Sequence, residues 1–321
     1  MSTKIPARPL GTTGRQVGAV GLGCMSMSWA YDPAQKDDET SMAAIRTALE
    51  IGVSLIDTAP AYGPFSNEEL VGRAIAGRRA ETVLATKVGL IVNPTTFEFE
   101  KDGRPESVTA SCEESLRRLG VEQIDLYQLH RVDPQVPIED TWGAMADLVT
   151  RGLVGHLGLS EVTVAECERA AAIHPVASVQ SEFSLWTRDR SADVIPWCEA
   201  NGAAFIPFAP LGRGYLTGAV DSRTEFEAKD FRARNPRFTA EARAANQVIV
   251  DGIRAVAEGL GATPAQVAIA WTLAVSPAIV PIPGTRRPAR VRENAAAATL
   301  VLSDTDRARL DELPIPLGER Y

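Results

Sequence analysis

Three apolar runs in this chain each end in an ionisable residue. SLIDTAPAYG reaches Asp57, VLATKVG reaches Lys87 and DLYQLHR reaches His130, while Tyr62 stands five residues beyond Asp57. Taken singly, each has an ordinary explanation: a turn-forming acid, a solvated lysine, a structural histidine, a packed tyrosine. Their coincidence on three consecutive strand-like runs points to chemistry. A tyrosine hydroxyl titrates near pH 10 in water, too weak an acid to give up much proton at neutrality. An adjacent ammonium favours the phenolate and lowers that pKa. A buried lysine must itself be held charged, a task for the Asp57 carboxylate. A neutral histidine can then orient a carbonyl oxygen by hydrogen bonding. The four together suit proton delivery to a carbonyl reduced by hydride. Metal chemistry is not indicated, because the three histidines show no HxH or HExxH spacing, and His156 and His174 join no pattern.

The quartet supplies no electrons, so a cofactor is implied. GRGYLTG and GAVGLG have the wrong spacing for a Rossmann fingerprint and read as tight turns. More informative is PIPGTRRPARVREN, which sets Arg286, Arg287, Arg290 and Arg292 within seven residues at a helix start. Cations there oppose the helix dipole, and a bound anion resolves the conflict. The 2′-phosphate of NADP is the candidate; an exposed arginine face is the alternative, above all for Arg287 and Arg292.

Positioning these groups requires strands whose ends converge. Because side chains alternate along a strand, Val53, Leu55 and Asp57 share a face, as do Val83, Ala85 and Lys87, and Leu126, Gln128 and His130. Strand-like runs occur at 20–22, 53–57, 82–87, 125–130, 154–159, 177–180, 203–208 and 278–281. Helical patterns follow nearly every one, at 38–50, 67–75, 106–119, 138–150, 164–171, 192–200, 265–275 and 288–297. Ser66 with Glu69 reads as a capping box, and Pro264 and Pro288 as first-turn prolines. This alternation predicts an α/β fold, a (β/α)8 TIM barrel, whose strand C-terminal ends meet at one rim. A doubly wound sheet is the rival. The barrel is preferred because no linker or composition break divides the chain, so 1–321 is read as a single domain. RPLGTTGRQVG predicts an N-terminal hairpin turning at Gly11 and Gly14, and the irregular stretch 213–238 a functional loop.

The net charge of −8 argues against nucleic acid as a partner. Cys24, Cys112, Cys167 and Cys198 are scattered without CxxC spacing, which favours reduced thiols in a cytoplasmic setting. The N-terminus lacks a signal-peptide core, and no run approaches the roughly 18 apolar residues of a membrane span. A soluble protein without membrane partners is expected, and a homo-oligomer is left open.

The motifs together are similar to those of a known family. DTAPAYG, the lysine of ATKVG, LHRVDP, GLSEV, VQSEFSLW, PLGRGYLTG and PIPGTRRPARVREN resemble, in order, the signatures of the aldo-keto reductases. DTAPAYGPFSNEELVG with QLHRVDP is most similar to the bacterial and plant branch with pyridoxal reductase-like and auxin-induced-like members. The resemblance implies a (β/α)8 barrel, closed by a further C-terminal helix, that uses NADPH/NADP+ to reduce aldehydes or ketones. It implies a tetrad of Asp57, Tyr62, Lys87 and His130, with Tyr62 as general acid. Ser160 and Gln180 match positions that hold the nicotinamide carboxamide, and Phe208 the aromatic that stacks on the ring. Gly23, Met25 and Asp57 fall on the cofactor's path. Pro210, Leu211, Gly212 and Arg213 match the pyrophosphate lining, and Gly284, Thr285, Arg286, Arg290, Glu293 and Asn294 the adenosine end. Glu161 and Ser181 stand where many members carry Asn, and Ala209 where Ser is common.

The substrate, a small carbonyl compound, would meet Trp29, Tyr31, the 89–104 loop, Trp186 and the 213–238 stretch. Arg131 reads equally as a structural ion-pair partner or a substrate contact. Pyridoxal reduction is the specific alternative within the family, and a nucleotide-binding channel subunit the alternative outside catalysis. The intact tetrad argues for an enzyme, and missing ligand clusters against a metal-dependent hydrolase.

Overall fold

The computed structural model describes residues 4–31, 36–93 and 98–320. Two short strands, β1 (Ala7–Pro9) and β2 (Gln16–Gly18), pair antiparallel across a turn in which Gly11 and Gly14 have positive φ. β3 (Leu22–Gly23), β4 (Leu55–Asp57) and β5 (Val83–Val88) follow. β6 (Leu90–Val92) and β7 (Phe99–Lys101) form a separate hairpin, within the stretch expected to be a loop. β8 (Ile124–Leu129), β9 (Val154–Ser160), β10 (Ser178–Glu182) and β11 (Ala204–Phe208) complete the set. Seven strands make one parallel sheet in the order β11-β10-β9-β8-β5-β4-β3.

The eighth stave, expected at 278–281, is an extended segment without a regular ladder. It bonds to β11 on one side, through Phe205 N–H to Ala278 O, Val280 N–H to Phe205 O and Ile282 N–H to Pro207 O. On the other side Gly21 N–H donates to Pro281 O, and Gly23 bridges Gly284. Pro281 and Pro283 have no N–H, so a full ladder cannot form there, yet the barrel closes. The fold is a (β/α)8 barrel.

Side-chain parity sorts the core as the period of two requires. Leu55, Val83, Ala85, Leu126, Ala204 and Ile206 fill the barrel with Val280 and Ile282. Leu10 and Val17 of the β1–β2 hairpin join that cluster and plug its lower mouth. The alternate residues Ile56, Leu84, Tyr127, Leu157 and Val179 pack outward against the helices. Above the apolar layer, the inward parity carries Asp57, Lys87, Gln128 and Gln180.

The helices Asp38–Glu50, Ile138–Thr150 and Val164–Ala171 coincide with their expected spans, and the other expected helices shift by a residue or two. Pro264 and Pro288 open their helices as expected. The Ser66–Glu69 capping box does not form. Phe65, in left-handed conformation at φ 73, precedes the helix, and Ser66 Oγ turns back to donate to Gly63 O at 2.6 Å. The helix Gln247–Leu260 is not among the expected elements, and its entry residue Asn246 makes no side-chain cap. Asp304–Asp311 is the added C-terminal helix. The stretch 213–238 contains 3-10 turns around an aromatic cluster of Trp186, Tyr215, Phe226 and Phe238. All four cysteines are free and buried. Among the described residues no helix is long and apolar enough to cross a membrane, and no group of three metal-binding side chains occurs.

Candidate active site

Asp57 ends β4, Lys87 is next to last in β5 and His130 follows β8, so three neighbouring strands deliver them to one rim. Tyr62 comes from the turn after β4. That turn is pinned by buried Asn67, which accepts from Thr58 Oγ1 at 2.6 Å and donates to Cys24 O at 2.9 Å and Ser28 Oγ at 2.8 Å. Ala59, Ala61 and Val92 seat the tyrosine ring with half-buried Met25, Trp29 and Leu90.

Lys87 is sealed from solvent, at 0% exposure. An ammonium has three donors, and here they meet three acceptors. Nζ lies 2.6 Å from Asp57 Oδ1, 2.8 Å from Thr58 O and 3.1 Å from Tyr62 Oη. Tyr62 therefore accepts from Lys87, and its own proton is left to point elsewhere. Asp57 Oδ2 in turn accepts from Gln128 Nε2 at 3.1 Å and Gln180 Nε2 at 2.9 Å. Gln180, expected at the carboxamide, thus also braces Asp57, while Gln128, Thr58 and Asn67 are positioning groups that the sequence did not single out. The usable signal was Gln128 lying on the same strand parity as His130.

Burial opposes the charge on Lys87, but Asp57 and Tyr62 outweigh it and its pKa is raised, so the ammonium persists. Tyr62 departs from the expectation of a net lowering: burial raises its pKa, and the pull of Lys87 does not overcome that. The phenol thus holds its proton in the free enzyme. His130 is pushed well below the ordinary imidazole value by burial, then by Lys87 and Arg131, so its ring is neutral. The Tyr62 and His130 rings stand edge to face, centroids 6.0 Å apart. A protonated phenol thus stands beside a neutral ring.

Around the rim lie the residues expected to hold a nucleotide. Gly23 pairs with Asp57 in register, and Met25 opens the short helix Met25–Ser28 beside it. Ser160 and Phe208 end β9 and β11, and Gln180 lies within β10, two residues before its last residue Glu182. Buried Pro210 leads into a turn where Gly212, Arg213 and Gly214 all have positive φ. A Cβ on Gly212 would stand 2.5 Å from the Trp186 ring, so only glycine fits. Arg213 donates to Glu182 at 2.9 Å, and half-buried Leu211 packs on the core. Arg286, buried, donates to Ser26 O at 3.3 Å and Tyr31 O at 3.4 Å, joining the closing segment to the loop after β3. Beside them Gly284 is exposed, Thr285 Oγ1 accepts from Arg287 N–H at 3.2 Å and Asn294 is buried. Arg290 pairs with Glu293, and Arg292 with Glu50 at 3.5 Å, so these two do not depend on an external anion.

The three aromatics expected at the substrate divide. Trp29 stands beside Tyr62 and tilts against Phe99 at 5.2 Å. Tyr31 lies under the Arg232 guanidinium at 5.1 Å. Trp186 is buried and stacks on Tyr215 at 4.4 Å, which gives it a packing role rather than a place on an open wall.

A model of the Aldo/keto reductase family matches residues 19–315. The chain belongs to the aldo-keto reductases. It is 41% identical over 312 residues to a probable aldo-keto reductase 1 of Glycine max, covering 97% of this chain and 89% of that protein. Among solved structures it is similar to the glycerol dehydrogenase AKR11B4 from Gluconobacter oxydans, with a TM-score of 0.86 and 29% identity over 96% of this chain and 94% of that one. An aldo-keto reductase from Klebsiella pneumoniae, solved in complex with NADPH, gives a TM-score of 0.75 and 28% identity over 100% and 99% of the two chains.

In this aldo-keto reductase two of the three departures from common family residues fall on strained backbone, while Ser181 lies within regular β10. Glu161 and Ala209 have φ of 54° and 49°, a region that asparagine enters more readily than most residues. Glu161 is held there by its neighbours: Oε1 accepts from Glu182 N–H at 2.9 Å, and Arg320 of the C-terminal tail pairs with its carboxylate. Arg320 also reaches Glu182 at 3.2 Å, beside Arg213.

Proposed function

We propose that this reductase converts aldehydes or ketones to alcohols with NADPH, and that Tyr62 is the proton donor. The observation that carries this reading is the full occupation of the Lys87 ammonium by Asp57, Thr58 and Tyr62. The residues present fit the cofactor: Arg286 and Arg213 offer cationic donors and Phe208 a half-buried ring at the strand end. Ser26 Oγ, beside Arg286, is buried without a partner among the described residues. Ser160, Gln180, Arg290, Glu293 and Asn294 would complete the contacts. When bound, NADPH supplies the hydride that reduces the carbonyl carbon.

The protein's part is to place and protonate the carbonyl oxygen. His130, neutral, hydrogen-bonds that oxygen and orients it. Tyr62 delivers its O–H proton as negative charge develops there. The phenolate left behind faces the Lys87 ammonium, which Asp57 keeps charged and Gln128 and Gln180 keep in place. Reprotonation from solvent restores Tyr62. The buried, free cysteines support a reducing, cytosolic setting.

Following NADPH absorbance with aromatic and aliphatic aldehydes tests the reading. Turnover that survives a chelator is expected. Tight NADPH binding without turnover of any carbonyl would favour a regulatory nucleotide-binding protein instead.

A further inference from the structure

One cation at the rim is not used by the proton-transfer network. Arg131 directly follows His130 and is half-buried. Its Nη1 donates to His130 O at 2.6 Å and to Ser160 Oγ at 3.3 Å, so the head group spans the ends of β8 and β9. Neither contact is with a charge. Among the described residues Arg131 forms no ion pair, and its Nε and Nη2 have no protein acceptor. Three other arginines at this end meet carboxylates, Arg213 with Glu182, Arg232 with Asp230 and Arg320 with Glu161, while Arg286 is the residue assigned to the cofactor. The one carboxylate at the centre of the site, Asp57, is already shared among Lys87, Gln128 and Gln180.

The charge of Arg131 is also felt where the carbonyl would sit. It acts downward on the pKa of both Tyr62 and His130. A guanidinium held by two neutral oxygens, with free donors on Nε and Nη2, presents the planar fork that binds carboxylates in bidentate fashion. Leaving such a cation unmatched in a partly desolvated site is unfavourable, and an anionic ligand offsets that cost.

We propose that Arg131 is a specificity-determining residue that selects carbonyl substrates carrying a carboxylate, which it binds as a bidentate pair. This rests on the carbonyl-reductase reading and names the substrate class for that site. Trp29 and the β6–β7 hairpin then face the substrate's apolar middle, with the carboxylate toward β9.

The test compares 4-oxobutanoate with butanal, matched in length, using NADPH and purified full-length enzyme. Wild type is expected to favour 4-oxobutanoate in kcat/KM by about tenfold or more, the discrimination of one charge-assisted pair. Arg131→Met should lower kcat/KM for 4-oxobutanoate at least about tenfold more than for butanal, through KM, by the same arithmetic. Arg131→Lys should retain part of the preference, since it keeps the charge and loses the fork. A wild-type enzyme that turns over butanal at least as well as 4-oxobutanoate overturns the inference and leaves the reductase reading standing. So does an Arg131→Met variant that loses both substrates equally, which marks Arg131 as only a brace for His130 and Ser160. Failure to turn over either aldehyde removes the reductase reading, and this inference with it.

Discussion

The Nζ of Lys87 stands 2.6 Å from Oδ1 of Asp57, with neither side chain more than 3% exposed. Such a pair is sensitive to losing one partner and tolerant of losing both. Removing the carboxylate leaves a buried ammonium facing only neutral acceptors, at a cost of about 3–5 kcal/mol.

Asp57→Asn should therefore lower the unfolding free energy by roughly that amount. Adding Lys87→Met should recover a substantial part, because no uncompensated charge remains. Urea unfolding of the two single variants and the double variant measures this. Additive losses would mean that the two residues are not coupled.

A pH dependence of stability follows from His130. Its folded pKa lies well below the ordinary imidazole value, so between the two values only the unfolded chain takes up the proton. Its contribution is complete above about pH 6.5 and is lost as pH falls below that value, by up to about 1.4 kcal/mol per pH unit. Unfolding free energies from pH 7.5 to 5 should fall less steeply for His130→Asn than for wild type. Parallel slopes would show that His130 is not the group responsible.

The C-terminal tail should matter more than its position suggests. Leu317 exchanges two hydrogen bonds with Asn246, at 2.7 and 3.0 Å, and Asn235 holds Arg320 O at 2.9 Å. Arg320→Ala leaves Glu161, on strained backbone, without its cation and should cost about 1–3 kcal/mol. Combining it with Glu161→Gln should recover part of the loss. Unfolding by urea reports both, and no loss in Arg320→Ala would show that the tail pair is idle.

Asp57, Lys87 and His130 were legible in the sequence because strand parity and barrel closure are strong constraints. Each residue's face follows from counting by two, and the shared rim follows from parallel strands. Arg320 was not legible, since it meets Glu161 across 159 positions and no local pattern records such a contact. Trp186 looked like a wall of the pocket because aromatic loop residues give no sign of what they stack on. The net pKa direction of Tyr62 was missed because sequence shows the neighbouring charge but not the depth of burial. The eighth stave was found by its apolar run, while its prolines, plainly visible, determined that it would close the barrel without a ladder.

In the proposed reaction the Tyr62 hydroxyl, accepting from Lys87 at 3.1 Å, gives its own proton to the carbonyl oxygen. Tyr62→Phe deletes that proton, and with it one of the three acceptors of the Lys87 ammonium. Single-turnover reduction of an aldehyde by NADPH-loaded enzyme, read beside NADPH affinity, tests it most directly. The rate should fall about 100-fold or more, with the NADPH dissociation constant changed by less than about threefold, under 1 kcal/mol. A variant that keeps wild-type rates would contradict the account and move the proton donor elsewhere.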